Sequence, residues 1–275
     1  MNKTILITGA STGIGKATAT YFASKGWNVA ATMRTPEKET ELGKIPNIRL
    51  LQLDVMDEVS IKKAINDTIS TFGAIDVIFN NAGYALVGSF EAMNSDQIKR
   101  QFETNVFGVM NVTRAILPFF RAQKGGIIIN TSSMGGLLTF PLYSVYHATK
   151  WALEGFMESL QFELKQFNIK VKNIEPGAIK TDFYDRSLDF VTKPELTAYD
   201  SYIYVANKNM LKVSQIAPGP LVVAQKVYKA AIDGSFKLRY PVGGNGPILL
   251  IIRWLIPLSW FNFIVRSQVE KGFKM

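Results

Sequence analysis

The sequence predicts an α/β fold: one Rossmann-like layering of a doubly wound parallel sheet with helices on both faces, spanning residues 1–275, with a C-terminal extension. Three observations carry this. Short β-branched runs alternate with segments of helical length and spacing, which is the pattern of βαβ units. The run at residues 5–7 is apolar throughout and reads as a buried strand, as strands covered on both faces do. No Pro/Gly-rich linker interrupts the alternation before Pro176, so a single domain is expected.

Taken in order, residues 5–7 make the first strand, a short β-branched run closed by Thr8 and Gly9. A helix follows over 15–25 and stops at Gly26, a good C-terminal signal. Strands are expected over 29–32 and 48–53, then a helix over 57–72 and a strand over 75–79. One long helix is expected over 96–120, a fifth strand over 127–130, a helix over 145–167 and a sixth strand over 169–174. Beyond Pro176 and Gly177 the pattern fails. Residues 178–217 carry few strand signals and many polar and aromatic residues, among them Phe183, Tyr184, Tyr199, Tyr202 and Tyr204. A long irregular insertion of this kind reads as a substrate-binding loop or lid. A helix over 221–231 and a strand over 236–240 restore regular structure, and 247–275 is a hydrophobic C-terminal segment.

Composition excludes several classes of function. With 47% hydrophobic and 19% charged residues the chain can bury a substantial core. It has no cysteine, so disulfides and thiolate metal sites are excluded. His147 is its one histidine, which argues against a zinc site and a histidine-based triad, and no metal is expected. The net charge of +9 comes from scattered lysines and arginines, with no basic block interleaved with aromatics, so no nucleic-acid partner is expected. A diffuse positive charge suits phosphorylated cofactors or an acidic membrane surface. The apolar run at 5–7 is too short for a signal sequence, and a cytoplasmic location is the expectation.

Gly9, Ser11, Thr12, Gly13, Ile14 and Gly15 lie between the first strand and the first helix. A glycine turn there brings a pyrophosphate onto a helix N-terminus, with room for close backbone approach. The spacing is G-x-x-x-G-x-G, not the G-x-G-x-x-G of the standard dinucleotide fingerprint. Tyr146 and Lys150 stand four residues apart on the predicted 145–167 helix, so a phenol and an ammonium share one face. The cation favours phenolate over phenol, and a phenol so tuned can pass a proton to or from a substrate oxygen.

The glycine turn and the Y-x-x-x-K pair together resemble the short-chain dehydrogenase/reductase family. Further motifs follow in the family's order: Asn80-Asn81-Ala82-Gly83, Asn105, Ser132-Ser133, Pro176-Gly177 and Thr181. The resemblance is close over residues 3–181 and loose beyond. It implies Tyr146 as proton donor or acceptor, and Lys150 as the cation beside it that also holds the nicotinamide ribose. It implies Ser133, thirteen residues before Tyr146, as the hydroxyl that polarises the carbonyl, and Asn105 as support for a water-mediated path to Lys150. It further implies cofactor contacts from Asn81, Ala82, Gly83, Pro176, Gly177, Ile179 and Thr181, with Asp54 and Val55 near the adenine. By the same resemblance the two long mid-chain helices build a subunit interface, so a homo-oligomer is expected.

Cofactor choice is read at the end of the second strand. No Asp or Glu occurs between Gly26 and Pro36, whereas Arg34 is placed to grip a 2′-phosphate, so NADP(H) is favoured over NAD(H). His147 reads as a helix-surface or packing residue, and Trp151, Phe156 and Leu160 as core or subunit contacts. Within the hydrophobic tail Arg253 and Pro257 interrupt the run, which argues against a spanning helix. A helix that closes the substrate pocket is the plainer reading; peripheral membrane contact through Trp254, Trp260 and Lys271 is the other. The expected function is a carbonyl/alcohol oxidoreductase acting on a hydrophobic substrate. A non-catalytic NADP(H)-binding sensor or scaffold on the same fold is the alternative, since fold alone does not separate them.

Overall fold

The computed structural model describes residues 2–181 and 187–273, so Phe183 and Tyr184 lie outside the described residues. In chain order the strands are β1 (Thr4–Ile7), β2 (Asn28–Met33), β3 (Ile48–Gln52), β4 (Val77–Asn80), β5 (Ala85–Val87), β6 (Gly126–Thr131), β7 (Ile169–Pro176), β8 (Leu188–Phe190) and β9 (Arg239–Val242). Seven of them form one parallel sheet in the order β3-β2-β1-β4-β6-β7-β9. The order reverses beside β1, and in such sheets ligands bind outside the carboxyl ends of the strands at that reversal. The remaining pair, β5 and β8, makes a small parallel sheet of its own.

The helices are α1 (Gly13–Ser24), α2 (Glu58–Phe72), α3 (Ser95–Phe102), α4 (Gly108–Ala122), α5 (Ser144–Leu164), α6 (Asp200–Gln215), α7 (Leu221–Ile232), α8 (Gly246–Leu255) and α9 (Leu258–Val269). Strand alternation sorts the core into two layers. Ile5 and Ile7 of β1 pack with Ala19 and Phe22 of α1 and with Val223 and Val227 of α7. Leu6, between them, packs on the other face with Ile61 and Ile65 of α2, Val112 and Ile116 of α4, and Leu153 and Met157 of α5. All four residues of β1 are buried, which is why Ile5, Leu6 and Ile7 run apolar without a break there. Helix ends follow local chemistry: Asp57 caps α2 by accepting from the Val59 N–H at 2.9 Å, and Gly73, at φ +88°, ends it.

Three expectations are corrected. The helix expected over 96–120 is two helices joined by a π-helical segment, Glu103–Phe107. Asn105 sits in that segment with its amide bonded to Tyr84 and Thr149, so the widened turn turns a polar side chain inward. Residues 178–217 are not irregular throughout: they hold β8 and the four-turn helix α6, whose buried Ala206 packs with Phe261 and Val265 of α9. The strand expected over 236–240 starts at Arg239, because Gly234 at φ +68° and Asp233, which accepts from Ser235, form a turn that delays it. The hydrophobic tail folds as α8 and α9, broken between them at Pro257.

Candidate active site

The carboxyl ends of β1, β2, β4, β6 and β7 open into one cleft of about 1290 Å³. Every predicted site residue lines it except Gly15 and Asn105. At one end is the glycine turn. Gly9 holds φ +66° and Gly13 φ +54°, conformations that side chains with a Cβ adopt rarely. A Cβ on Gly15 would overlap the Gly9 carbonyl oxygen and stand 2.7 Å from Asn81 Nδ2. Gly15 therefore supports the turn from behind. Asn81 is its brace: Nδ2 donates to the carbonyls of Thr8 and Gly9 at 3.2 and 3.0 Å, and Oδ1 accepts from Thr131 Oγ1 at 3.1 Å. The Thr12 side chain makes no cap at the N-terminus of α1. Donors at a helix start, a glycine cradle and no carboxylate suit a pyrophosphate.

Along the same wall, Asp54 accepts from the Met56 N–H at 3.0 Å, and its own N–H bonds Ser60 Oγ at 2.8 Å, fixing the turn that carries Asp54 and Val55. Arg34 is exposed on the rim; its side chain makes no ion pair among the described residues. Pro176, Gly177, Ile179 and Thr181 follow β7 into the cleft, and Thr181 faces Gly13 across it. The fit to an NAD(P) dinucleotide is thus made by the chain's own backbone: a turn that only glycine allows, faced by a cation on α5.

That cation is Lys150. It is 6% exposed, its Nζ donates to the Thr131 carbonyl at 2.7 Å, and it lies 5.7 Å from the centre of the Tyr146 ring. Burial pushes it down to about 8, against an opposing pull from the Glu154 carboxylate one turn further along α5. Ser133 enters from the end of β6, and its Oγ accepts from the Gly135 N–H at 3.0 Å. With that lone pair occupied, the hydroxyl hydrogen is what Ser133 offers a substrate oxygen. Ser133, Tyr146 and Lys150 all face one space. Asn105 does not join them through its side chain: Oδ1 accepts from the Tyr84 N–H at 3.1 Å, and Nδ2 donates to the Tyr84 carbonyl at 2.9 Å and to Thr149 Oγ1 at 3.3 Å. It ties the π turn to the loop after β4 and to α5.

Of the two readings of His147, helix surface or packing, burial favours packing: it is 5% exposed, its Nδ1–H donates to the Gly135 carbonyl at 2.8 Å, and Nε2 accepts from the Phe140 N–H at 2.9 Å. It thereby fastens the loop carrying Ser133 to the helix carrying Tyr146, and burial pushes it down to about 4. The one available signal was its place beside Tyr146. Also unanticipated is a clasp at the rim, where Arg100 of α3 pairs with Asp189 of β8 at 2.6 Å and donates to Tyr84 Oη at 3.3 Å. Of the helix residues read as core or interface, Leu160 is buried, Phe156 half-buried and Trp151 46% exposed; none reaches the cleft.

A doubly wound sheet with a dinucleotide cradle and a Ser–Tyr–Lys set in one cleft defines an NAD(P)-dependent oxidoreductase of CH–OH and C=O groups. Residues 3–190 match the family model for the short chain dehydrogenase. The oxidoreductase YusZ of Bacillus subtilis is 39% identical, with 98% of this chain and 99% of that one covered. A 3-ketodihydrosphingosine reductase of Bacteroides thetaiotaomicron is 39% identical over 72% of each chain. Among solved structures, a short-chain dehydrogenase from Streptomyces avermitilis superposes with a TM-score of 0.82 at 31% identity, covering 100% of this chain and 99% of that one. ElxO with NADP bound gives 0.75 at 28% identity, covering 90% and 100%. The chain belongs to the short-chain dehydrogenase/reductase family.

Proposed function

We propose that the protein is an NADP(H)-dependent oxidoreductase that interconverts a hydrophobic carbonyl and its alcohol, with Tyr146 as general acid and base. The carrying observation is the continuity of the cleft, which runs from the glycine turn past Ser133, Tyr146 and Lys150 to an apolar wall that includes Met210, Leu249, Ile264 and Val265. When bound, the nicotinamide supplies or accepts the hydride. In the direction of reduction, Tyr146 gives its phenolic proton to the substrate oxygen, and Ser133 donates a hydrogen bond where negative charge develops. Lys150 favours the phenolate that Tyr146 becomes, and its remaining N–H groups are available to the ribose. Asn105 acts by holding the π turn against α5.

Preference for NADP(H) is supported by Arg34 at the cleft rim, by the lack of Asp or Glu between Gly26 and Pro36 and by the NADP bound to ElxO. The substrate is read as hydrophobic from the apolar wall, and the name of the Bacteroides relative points to a long-chain ketone. The protein acts as a homo-oligomer through the exposed apolar side of α5. Replacement of Tyr146 by Phe tests the mechanism: cofactor quenching of tryptophan fluorescence should persist while turnover on a carbonyl panel falls at least ~1000-fold. Turnover at the wild-type rate would refute the role of Tyr146. In the same assay, Arg34→Ala should raise KM for NADPH ~10- to 100-fold and leave that for NADH within about twofold.

A further inference from the structure

The tail that closes the cleft carries a second, outward face. Ile248, Ile251, Trp254 and Leu255 of α8, with Leu258, Trp260 and Phe263 of α9, are all exposed, Trp254 to 84% and Phe263 to 73%. They leave the core to Phe261, Val265 and Val269, which pack against α6. Exposed apolar patches of this size on a soluble fold mark a docking surface.

Charge identifies the occupant. No Asp or Glu occurs from Gly246 to Val269, whereas Arg253 and Arg266 do, and exposed Lys212 of α6 stands at the cleft mouth, with no carboxylate on α6 after Asp200. The flanking Glu270 is occupied by Arg266 at 3.0 Å and by Tyr202 at 3.2 Å. Two exposed indoles on an apolar face free of acidic residues, on a protein of net charge +9, match the boundary between acyl chains and anionic headgroups. No helix among the described residues is long and apolar enough to cross a membrane, so the geometry is that of lying on a bilayer.

We propose that the α8–α9 hairpin docks the protein onto an anionic phospholipid surface and presents the cleft mouth to it. The reverse side of the same hairpin, with Leu249, Ile264 and Val265, is cleft wall, and exposed Val213 and Ile216 at the end of α6 stand at the same mouth. A lipid-dissolved carbonyl enters from the acyl boundary without crossing bulk water. This delivery step rests on the hydrophobic-carbonyl reading above; the docking itself does not.

The test is sedimentation of the full chain with vesicles of phosphatidylcholine alone or mixed with phosphatidylserine, alongside turnover of a water-soluble carbonyl. Wild type should sediment with the mixed vesicles, more weakly with the neutral ones, and less at high salt. Trp254→Ser combined with Phe263→Ser should lower the partition coefficient at least ~10-fold with soluble turnover unchanged. Absence of wild-type sedimentation, or full retention of binding by the double variant, would overturn docking. So would a shift of the double variant to a smaller oligomer with no vesicle binding by wild type, which would make the face a contact between copies. Failure of the catalytic reading appears separately, as missing turnover in the vesicle-free assay.

Discussion

Lys150 pays for its position with stability. Its pKa is about 8 in the fold against 10.5 when solvated, so the unfolded chain binds more protons between those values and stability rises with pH across that window. At neutral pH the buried cation is a cost. Lys150→Met should therefore unfold at a higher denaturant midpoint than wild type at pH 7, by roughly 2–3 kcal/mol, while losing turnover. Activity follows the charge: kcat/KM for reduction should fall about tenfold per pH unit above about 8, as Lys150 neutralises in the free enzyme. His147 runs on the opposite side of neutrality. Its pKa of about 4 lies below the solvated 6.5, so its contribution is fully present above about 6.5 and is lost as pH falls to about 4. Denaturation at pH 7 and pH 4 should show a component of ~3 kcal/mol that His147→Gln removes. An unchanged pH dependence in that variant would place the acid sensitivity elsewhere.

At the scale of elements, a polar ladder crosses the sheet where apolar residues are the rule. Asn80 of β4 donates to Asn130 of β6 at 2.9 Å, Asn130 to Asn173 of β7 at 3.1 Å, and Asn173 to Glu154 of α5 at 2.9 Å. The register puts these three asparagines side by side. Arg239 of β9 closes the row on Glu154 at 3.3 Å and lies 3.5 Å from Glu175. Burial and the neighbouring Glu154 push the Glu175 carboxyl up to about 8. The folded state thus holds an extra proton between pH 4.5 and 8, and this group's contribution falls as pH rises through that range. Glu175→Gln should be more stable than wild type at pH 8, by roughly 2 kcal/mol, with the gap closing toward pH 5 in thermal or denaturant unfolding. Strands β1, β4 and β6 were legible because burial on both faces writes the apolar runs 5–7, 77–79 and 127–129. The π turn at Glu103–Phe107 was not, since its cause is contact between Asn105 and the distant Tyr84 and Thr149 rather than any local propensity. Likewise β5 and β8 are three residues each and exist by pairing across the chain. Ser133, Tyr146 and Lys150, the trio proposed for catalysis, were readable through the family resemblance of their motifs; the bonds of His147 to Gly135 and Phe140 were not, because they depend on where the Ser133 loop returns.

For the whole molecule, two apolar faces need different partners. One is the α8–α9 hairpin. The other includes Phe107 on the π turn and Trp151 and Phe162 on α5, exposed by 53%, 46% and 74% and outside the cleft lining. Here acids are frequent, with Glu158 and Glu163 on the same helix, so an anionic bilayer is a poor match and a second copy of the chain a good one. A two-fold contact places each such residue near its own equivalent, so a charge introduced there meets a like charge as well as losing apolar contact. If the proposed homo-oligomer forms through this face, Trp151→Glu with Phe162→Glu should convert it to a monomer in size-exclusion chromatography with light scattering. Because neither residue lines the cleft, turnover per chain should stay within about threefold of wild type. Vesicle binding per chain should be nearly unchanged by these substitutions, apart from the loss of avidity between joined hairpins, which lowers apparent affinity without altering the bound geometry. Should the monomeric variant instead lose all vesicle binding while the hairpin variant keeps it, the assignments of the two faces would have to be exchanged.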